Sequence, residues 1–221
     1  MDNERLSIYL RSLEPEPTPL IAEIEAHAAR EQVPIIRKET ASLLQTLIVM
    51  NQPKRILEVG AATGYSALCM SVCMPEDAHL TTIEKYEKRI PVAKENFRRA
   101  GMEEKITLME GDAADILKEL AGPYDFIFMD AAKGQYLHFL PEVLRLLAEG
   151  GVLVTDNVLQ DGTLLESRFV IPRRDRTIHA RIRDYLYELK HHPELATSVV
   201  PIGDGITISV KTGNRTQEGI I

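Results

Sequence analysis

The sequence has no tryptophan and only two cysteines in its 221 residues, and these shortages exclude several kinds of site. With five phenylalanines and seven tyrosines as the other aromatic residues, no pattern indicates an aromatic cage for a flat ligand. Cys69 and Cys73 lie four residues apart on one predicted helix with no histidine nearby, so neither a disulfide nor a zinc site is predicted. Unpaired cysteines are typical of cytoplasmic proteins, and we expect that compartment.

A long hydrophobic run and an excess of basic residues are also missing. No apolar run approaches the roughly 20 residues that a membrane-spanning helix needs, and the charged start, Met1 to Arg5, lacks the apolar segment of a signal peptide. We therefore expect no membrane partner. The formal net charge of −7 excludes a uniformly basic surface but permits a local basic patch. One stretch fits such a patch, since residues 168–183 contain six arginines and a single acid, Asp175.

From residue 54 onward, short apolar strands alternate with helical segments. Strands are predicted at 54–59, 79–83, 105–109, 124–129, 152–155, 199–202 and 205–211, and helices at 63–74, 86–100, 114–120, 135–148 and 175–191. This alternation predicts an α/β fold in which a mostly parallel, seven-stranded sheet carries helices on both faces. A tight turn at Gly203-Asp204 joins the last two strands and predicts one antiparallel strand at the edge. No linker or repeat interrupts the pattern, so we expect a single domain, residues 1–221.

Three helices precede this core, which we assign to residues 54–211. They are predicted at 3–13, 19–30 and 38–50, and the second is capped by Thr18 with Pro19 at its first position. Together they form a helical N-terminal extension, residues 1–50. Three roles stay open for it: covering a site, contacting a second copy of the chain, or padding the sheet.

The stretch from Ile56 to Ser66 organises the core, because an apolar strand ends here in an acid and a glycine turn. Gly60 and Gly64 permit positive φ and a close approach of the backbone to a ligand, and the following helix start directs free N–H groups to the same place. The spacing G-x-x-x-G lacks the middle glycine of a dinucleotide site. Glu84 ends the next strand, where an acid typically holds ribose hydroxyls. These features indicate a nucleoside-type ligand without a pyrophosphate; the alternative is any α/β protein with a glycine turn.

Acids stand at the ends of five predicted strands, where ligands bind in open α/β sheets. They are Glu58, Glu84, Asp112, Asp130 and Asp156. Asn157 follows Asp156, and two carboxylates with one amide oxygen form a set of hard ligands suited to Mg²⁺ or a similar ion. Lys133, three residues after Asp130, could accept a proton from a hydroxyl that such a metal has acidified. Taken singly, Asp156-Asn157 is more simply a turn and Lys133 a surface lysine.

The motif E-x-G-x-x-x-G, together with Glu84, resembles that of the class I S-adenosylmethionine (AdoMet) methyltransferases. With Gly111-Asp112-Ala113, Asp130-Ala131-Ala132-Lys133 and Asp156-Asn157 included, the chain resembles the metal-dependent catechol and caffeoyl-CoA O-methyltransferases over about residues 30–211. The resemblance implies a Rossmann-like class I methyltransferase fold, AdoMet as methyl donor, and Mg²⁺ or another divalent cation such as Mn²⁺ or Ca²⁺. It also implies a homodimer.

Carried over by position, the resemblance implies roles for individual residues. Asp130, Asp156 and Asn157 would ligate the metal, and Lys133 would be the catalytic base. The catechol enzymes carry bulkier residues than Ala131-Ala132 at that point. The implied AdoMet contacts are Ile36, Glu58, Gly60, Gly64, Tyr65, Ser66, Glu84, Asp112, Ala113 and Asp130.

The chain's length and its ending, Pro201 to Ser209, are similar to those of the bacterial tRNA 5-hydroxyuridine methyltransferases, which make 5-methoxyuridine at the wobble position. That resemblance implies tRNA as the partner, presented through its anticodon loop. Arginines can contact phosphates through forked hydrogen bonds, or they can lie on a solvated helix face or pair with acids across a dimer. The candidates for substrate contact are Arg168, Arg173, Arg174 and Arg176.

Two alternatives to a tRNA acceptor stay open. The first is a small catechol or a hydroxycinnamoyl-CoA ester, in which case the arginines could bind CoA phosphates. The second is a non-catalytic AdoMet-binding protein, because a fold does not by itself imply an activity.

Overall fold

The computed structural model describes residues 3–167 and 169–213 of the chain. Within those ranges every helix falls short of the length and hydropathy that a membrane span requires. The chain packs into two compact units, one formed by the residues up to 54 with 60–112, the other by 55–59 with the residues from 113 onward. The single domain therefore stays a prediction.

The described residues form eight α-helices and seven strands, close to the predicted set. The helices are α1 Asn3–Leu13, α2 Pro19–Arg30, α3 Lys38–Asn51, α4 Tyr65–Ser71, α5 Ile90–Arg99, α6 Ala113–Glu119, α7 Tyr136–Leu146 and α8 Arg176–His191. The strands are β1 Arg55–Val59, β2 His79–Glu84, β3 Ile106–Glu110, β4 Tyr124–Met129, β5 Leu147–Thr155, β6 Leu195–Val200 and β7 Ile206–Lys211. Two short 3-10 helices span Lys133–Gln135, named here the lysine turn, and Gln160–Leu165.

The strands form one sheet in the order β3-β2-β1-β4-β5-β7-β6. The pairs β1–β4, β2–β3 and β4–β5 are parallel, whereas β7 runs antiparallel to both β5 and β6. The predicted α/β class is confirmed, with the antiparallel strand one position inside an edge formed by β6. Residues 126–129 of strand β4 form an apolar run, and all four are fully buried. This is expected of a parallel strand that is covered on both faces.

In the first unit, an ion pair fastens α1 to α3. Arg11 Nε and Nη2 donate to Glu39 Oε2 and Oε1 at 3.0 and 3.2 Å, and Glu39 is buried. Burial acts to raise the pKa of Glu39, but the hydrogen bonds and charge of Arg11 outweigh it and hold the pKa below the usual value. Helix α2 begins as predicted, with Pro19 in its first turn and Thr18 Oγ1 accepting from the Ile21 N–H at 3.4 Å.

In the second unit, the register of β4 and β5 brings two strand ends level. Met129 pairs with Thr155. The Asp156 N–H then donates to the Met129 carbonyl at 3.1 Å, and the Asp130 N–H donates to the Val59 carbonyl at 3.0 Å. Asp130 and Asp156 therefore leave the sheet from adjacent parallel strands at the same level.

Several boundaries differ from the predictions. Strand β5 begins at Leu147 and not at residue 152, so Gly150 and Gly151 lie within the strand. Helix α4 is shorter than 63–74, so Cys73 follows it, and both cysteines are free thiols. The segment between the predicted strand 152–155 and the predicted helix 175–191 contains the 3-10 helix Gln160–Leu165. Strand β6 occupies Leu195–Val200 and not 199–202, because its pairing with β7 extends back to Leu195.

Candidate functional site

The glycine loop, residues 60–64, turns the chain with three residues at positive φ. Gly60, Ala62 and Gly64 have φ values of 106°, 46° and 81°; the sequence predicted the two glycines but not Ala62. The Gly60 N–H donates to the Ile83 carbonyl at 3.0 Å. A Cβ at Gly64 would lie 2.5 Å from the Phe97 ring. Gly64 is therefore required both by its conformation and by the space around it.

Glu84 fixes the glycine loop through its carboxylate. It ends β2, as predicted, and is buried. Its Oε2 accepts the Ala62 N–H at 2.8 Å, and its Oε1 accepts the N–H groups of Lys85 and Tyr86 at 2.9 and 2.7 Å. A carboxylate offers about four acceptor positions, so three N–H donors leave capacity for a ligand hydroxyl.

The side chain of Tyr65 faces the N-terminal helices. Its hydroxyl donates to Glu25 Oε1 at 2.8 Å, and Lys38 Nζ lies 2.9 Å from Glu25 Oε2. Tyr65 is buried, and burial is the main cause of its raised pKa. The Tyr65 hydroxyl therefore anchors α2 in this structure, and a donor contact at this residue would involve its backbone.

The other residues predicted to contact the methyl donor lie in varied settings. Ser66 is buried in α4, and Ile36 is buried in the segment between α2 and α3. Asp112 is exposed and forms an ion pair with Lys85 at 3.2 Å. In the second unit, Glu58 is fully buried in β1 and Ala113 begins α6. Donor contact by each of them stays a prediction.

The second unit brings together the predicted metal ligands and the predicted base; we call Asp130, Lys133, Asp156 and Asn157 the carboxylate cluster. Asn157 Nδ2 donates to Asp130 Oδ1 at 2.8 Å, and the Asn157 backbone N–H donates to Asp156 Oδ1 at 2.7 Å. Asn157 has φ of 63°, a left-handed conformation that asparagine tolerates better than most residues. Asn157 thus connects the two carboxylates.

The carboxylate cluster carries more negative charge than Lys133 neutralises. Burial raises the pKa of Asp130, although the Asn157 hydrogen bond and the Lys133 charge oppose it. Burial and then the charge of Asp130 raise the pKa of Asp156 to about 7, with a smaller contribution from Asp204. Because burial and like charges disfavour ionised carboxylates, a cation bound here would be stabilised.

The sequence did not predict that Asp204 lies near the carboxylate cluster. The N–H groups of Val158 and Leu159 donate to the carbonyls of Gly205 and Asp204, each at 2.9 Å, which joins the turn before β7 to the segment after Asn157. A side chain at Gly205 would collide with Leu159. In sequence this aspartate resembles any turn residue, so no signal marked it.

The predicted metal ligands suit a hard divalent cation but do not fill its coordination shell. Within residues 3–167 and 169–213, no group of three or more histidine, cysteine, aspartate or glutamate side chains could hold a metal ion. The predicted set has two carboxylates, and its third member is the amide of Asn157. An oxygen set of this size is suited to Mg²⁺, which keeps several water or substrate ligands.

Two tyrosines that the sequence analysis did not single out lie behind the carboxylate cluster. The Tyr136 hydroxyl donates to the Asp156 backbone carbonyl at 3.1 Å, and the Tyr185 hydroxyl lies 2.7 Å from Thr155 Oγ1. Both tyrosines are fully buried. Their only sequence signal is an aromatic residue on an apolar helix face, which equally describes a core position.

Three of the arginines in the basic stretch, Arg176, Arg181 and Arg183, donate to backbone carbonyls. Arg176 donates to the carbonyls of Ile171 at 2.9 Å and Phe169 at 3.3 Å, and Arg183 donates to the carbonyl of Leu164 at 3.2 Å. The Arg176 guanidinium, which we expected to contact phosphate, is therefore already bonded within the protein. The guanidinium holds the segment before α8.

The remaining candidates for substrate contact are more exposed. Arg173 and Arg174 are exposed to solvent, and Arg174 Nε lies 3.4 Å from Asp175 Oδ2. Arg168 lies outside the residues that the structure describes.

Comparison with known proteins gives consistent matches. The sequence matches the profile of the O-methyltransferase family over residues 12–212. Caffeoyl-CoA O-methyltransferase 1 of Eucalyptus globulus is 31% identical over 218 residues, which cover 91% of this chain and 83% of that protein. Catechol O-methyltransferase of Niastella koreensis is 39% identical over 133 residues, which cover 58% of this chain and 60% of that protein.

A solved structure agrees with these relatives. The O-methyltransferase TomG from Streptomyces achromogenes, involved in tomaymycin synthesis and crystallised in complex with SAM, has a TM-score of 0.84 and 25% sequence identity. The match covers 96% of this chain and 100% of that chain. Because the family profile extends over nearly the whole sequence, this chain belongs to the O-methyltransferase family.

Proposed function

We propose that this chain transfers the methyl group of AdoMet to a ring hydroxyl of a small catechol or hydroxycinnamoyl-CoA type acceptor, with the help of a divalent cation. The observation that carries the proposal is the carboxylate cluster, in which Asn157 bridges Asp130 and Asp156 beside the charge of Lys133. It occurs in a chain of the O-methyltransferase family.

The glycine loop and Glu84 are the proposed donor-binding elements. Gly60 and Gly64, both at positive φ, have no side chain and so leave the loop backbone open to close approach. Glu84 keeps an acceptor position for a ribose hydroxyl after receiving three N–H donors. The SAM complex of TomG, whose fold matches over almost the whole chain, supports AdoMet as the donor.

Asp130, Asp156 and Asn157 are the proposed cation ligands. Asn157 presents its amide nitrogen to Asp130, so ligation by the amide oxygen requires the amide group to rotate. A divalent cation held by these residues would supply the charge that stabilises an acceptor oxyanion at neutral pH. Both carboxylates would then remain ionised, since the cation offsets the burial that raises both pKa values and the Asp130 charge that further raises the pKa of Asp156.

Lys133 is the proposed general base. It opens the lysine turn and is only partly exposed, and its charge opposes the rise in the pKa values of both Asp130 and Asp156. In its neutral form the amine would accept the proton of the acceptor hydroxyl. The acceptor oxygen would then attack the sulfonium methyl of AdoMet in line, with cleavage of the carbon–sulfur bond, and S-adenosylhomocysteine would leave with the electron pair on sulfur.

A small acceptor is favoured over tRNA by the relatives and by the arginines. The relatives are named for catechol and caffeoyl-CoA, whose adjacent ring oxygens could both approach one cation. Of the arginines expected to contact phosphate, Arg176 is bonded to backbone carbonyls. The wobble 5-hydroxyuridine of tRNA stays a prediction supported by the exposed side chains of Arg173 and Arg174, and the homodimer stays a prediction as well.

Methyl transfer from labelled AdoMet tests the proposal directly. The acceptors are catechol, caffeoyl-CoA and tRNA that lacks the wobble modification, each with Mg²⁺ or with chelator. We expect Mg²⁺-dependent label in one of the small acceptors, lost in K133M and D156N. If only tRNA were labelled, the acceptor would be tRNA and the proposed small acceptor would be wrong. A chain that binds AdoMet but labels no acceptor would support the non-catalytic alternative.

A further inference from the structure

Tyr136 lies where the predicted base and a predicted metal ligand are physically linked. It directly follows the lysine turn and is the first residue of α7, so only Gly134 and Gln135 separate it from Lys133. Its side chain is fully buried, and its hydroxyl donates to the backbone carbonyl of Asp156 at 3.1 Å. One residue therefore joins the chain segment of Lys133 to the segment of Asp156.

The lysine turn has little freedom to move independently of Tyr136. The Gln135 N–H donates to the Ala132 carbonyl at 2.8 Å, which closes the turn. From α8, Arg181 Nη1 donates to the Gly134 carbonyl at 3.0 Å. A shift of the Tyr136 backbone would therefore be transmitted to Lys133 through a closed turn and not absorbed by a loose loop.

The ring of Tyr136 is itself held by Tyr185. The two ring centroids are 5.5 Å apart in a tilted arrangement, and the Tyr185 hydroxyl is bonded to Thr155 Oγ1 at 2.7 Å. Two adjacent residues at the end of β5 are thus held by two tyrosines: Thr155 through its side chain and Asp156 through its backbone.

The partner of Tyr136 fixes the direction of its hydrogen bond. A backbone carbonyl can only accept a hydrogen bond, so the fully buried Tyr136 hydroxyl donates its proton to the Asp156 carbonyl.

We propose that Tyr136 is a positioning residue that keeps Lys133 and Asp156 in a fixed relation through its hydrogen bond to the Asp156 carbonyl. The inference rests on the proposed function, since it gives these two residues their roles as base and cation ligand. Residues that orient metal ligands from behind commonly change metal affinity or activity by about 10–100-fold when they are replaced.

The test compares Y136F with the matched control Y185F. Each variant removes one buried tyrosine hydroxyl from the same ring pair and keeps the ring, but only Tyr136 bonds to Asp156 itself. The measurements are the Kd for Mn²⁺ alone, from titration followed by electron paramagnetic resonance, then kcat and KM for methyl transfer, and the thermal unfolding temperature. All assays are run well below the unfolding temperature of the less stable variant.

We expect both variants to unfold at lower temperature and only Y136F to lose function. Y136F should weaken Mn²⁺ binding and lower kcat by about tenfold each, with the KM for AdoMet unchanged. Y185F should keep both values within about twofold. Equal losses in the two variants would show that ring-pair packing alone matters and would overturn the role of the Tyr136 hydroxyl, as would a Y136F variant with unchanged Mn²⁺ affinity and kcat.

A third variant separates this inference from the proposed function. D156N should lose Mn²⁺ binding outright. If D156N binds Mn²⁺ as tightly as the unmodified chain, the cation site fails, and the inference fails with it. If D156N loses Mn²⁺ while Y136F behaves normally, the cation site stands and only the role of Tyr136 is wrong.

Discussion

At Gly64, two requirements fall on one residue. Its φ of 81° is a conformation that side chains disfavour, and the Phe97 ring occupies the space where a Cβ would lie. Gly101 shares the first requirement, with φ of 66°, but nothing lies within 4 Å of its Cβ position. Substitutions at these two glycines therefore allow the effect of backbone strain to be measured apart from the effect of collision with a neighbouring side chain.

We expect G64A to destabilise the protein more than G101A. Strain alone should lower the free energy of unfolding by about 1–3 kcal/mol in both variants, and overpacking against Phe97 should add about 1–3 kcal/mol in G64A. Urea unfolding of the two variants measures the difference. Equal losses would mean that the Phe97 ring moves aside without resistance.

A second prediction at the residue scale concerns pH. R11M leaves the buried Glu39 carboxylate without its main partner, and we expect the free energy of unfolding at pH 7 to fall by about 1–3 kcal/mol. The folded protein holds the pKa of Glu39 below the unfolded value. The pair's contribution is therefore present above about pH 4.3, the usual glutamate value, and is lost as the pH falls through the folded pKa.

The control for this prediction removes the titrating group. Unfolding free energies of the unmodified chain and R11M should converge in acid, while those of E39Q and the R11M/E39Q double variant should differ by the same amount at every pH. A gap between the unmodified chain and R11M that stays constant down to strongly acidic pH would contradict the assignment.

At the scale of elements, α8 organises its surroundings through side chains that reach other segments. Arg176 and Arg183 hold the backbone between β5 and α8, Arg181 holds the lysine turn, and Tyr185 holds the end of β5. An arginine-rich helix can therefore be needed for activity without touching a phosphate. Sequence composition alone does not distinguish these two uses of arginine.

Paired substitutions separate the two uses. R176A should lower methyl transfer to a catechol severalfold, because the segment before α8 loses its bonds to the Ile171 and Phe169 carbonyls. The double variant R173A/R174A, which changes exposed side chains only, should leave catechol methylation unchanged. Steady-state rates with catechol test both expectations. A loss in the double variant with a tRNA or CoA acceptor alone would support phosphate binding by these arginines.

At the scale of the whole molecule, the net charge bears on the proposed cation. The chain carries a formal net charge of −7, and in the second unit the carboxylate cluster concentrates buried negative charge at one place. Because the folded pKa of Asp156 is raised to about 7 from an ordinary value of 3.8, ionising it opposes folding. That effect is absent below about pH 4, grows as the pH rises, and is complete above about pH 7.

D156N should therefore behave oppositely with and without metal. At pH 8 with chelator, we expect D156N to be at least as stable as the unmodified chain, because a buried charge is removed. With Mg²⁺ at about 100 times its Kd, the unmodified chain should gain about 2.7 kcal/mol and D156N almost none. Thermal unfolding in the two buffers measures this, and an equal Mg²⁺ effect on both proteins would exclude Asp156 as a ligand.

The strand–helix order, the glycine loop and the acids at strand ends were all accessible from the sequence. Periodicity and turn residues are local, so α2, with Thr18 and Pro19 at its start, was predicted almost to the residue. Boundaries set by pairing were missed: β6 starts at Leu195 because it pairs with β7, and nothing local marks that start. Asp204 and Tyr136 were missed for the same reason, since their partners are 48 and 20 residues away in the chain.

The sequence by itself determined the class of fold, the position of the glycine turn and the chemical nature of the proposed cation ligands, two carboxylates and an amide. These features follow from local pattern and residue chemistry. The tertiary structure alone decided which of them act together. Parallel register between β4 and β5 sets Asp130 and Asp156 level, and three backbone donors occupy Glu84. Arg176 donates to two backbone carbonyls. Such hydrogen bonds depend on distance in space and not on distance along the chain, so the sequence does not reveal them.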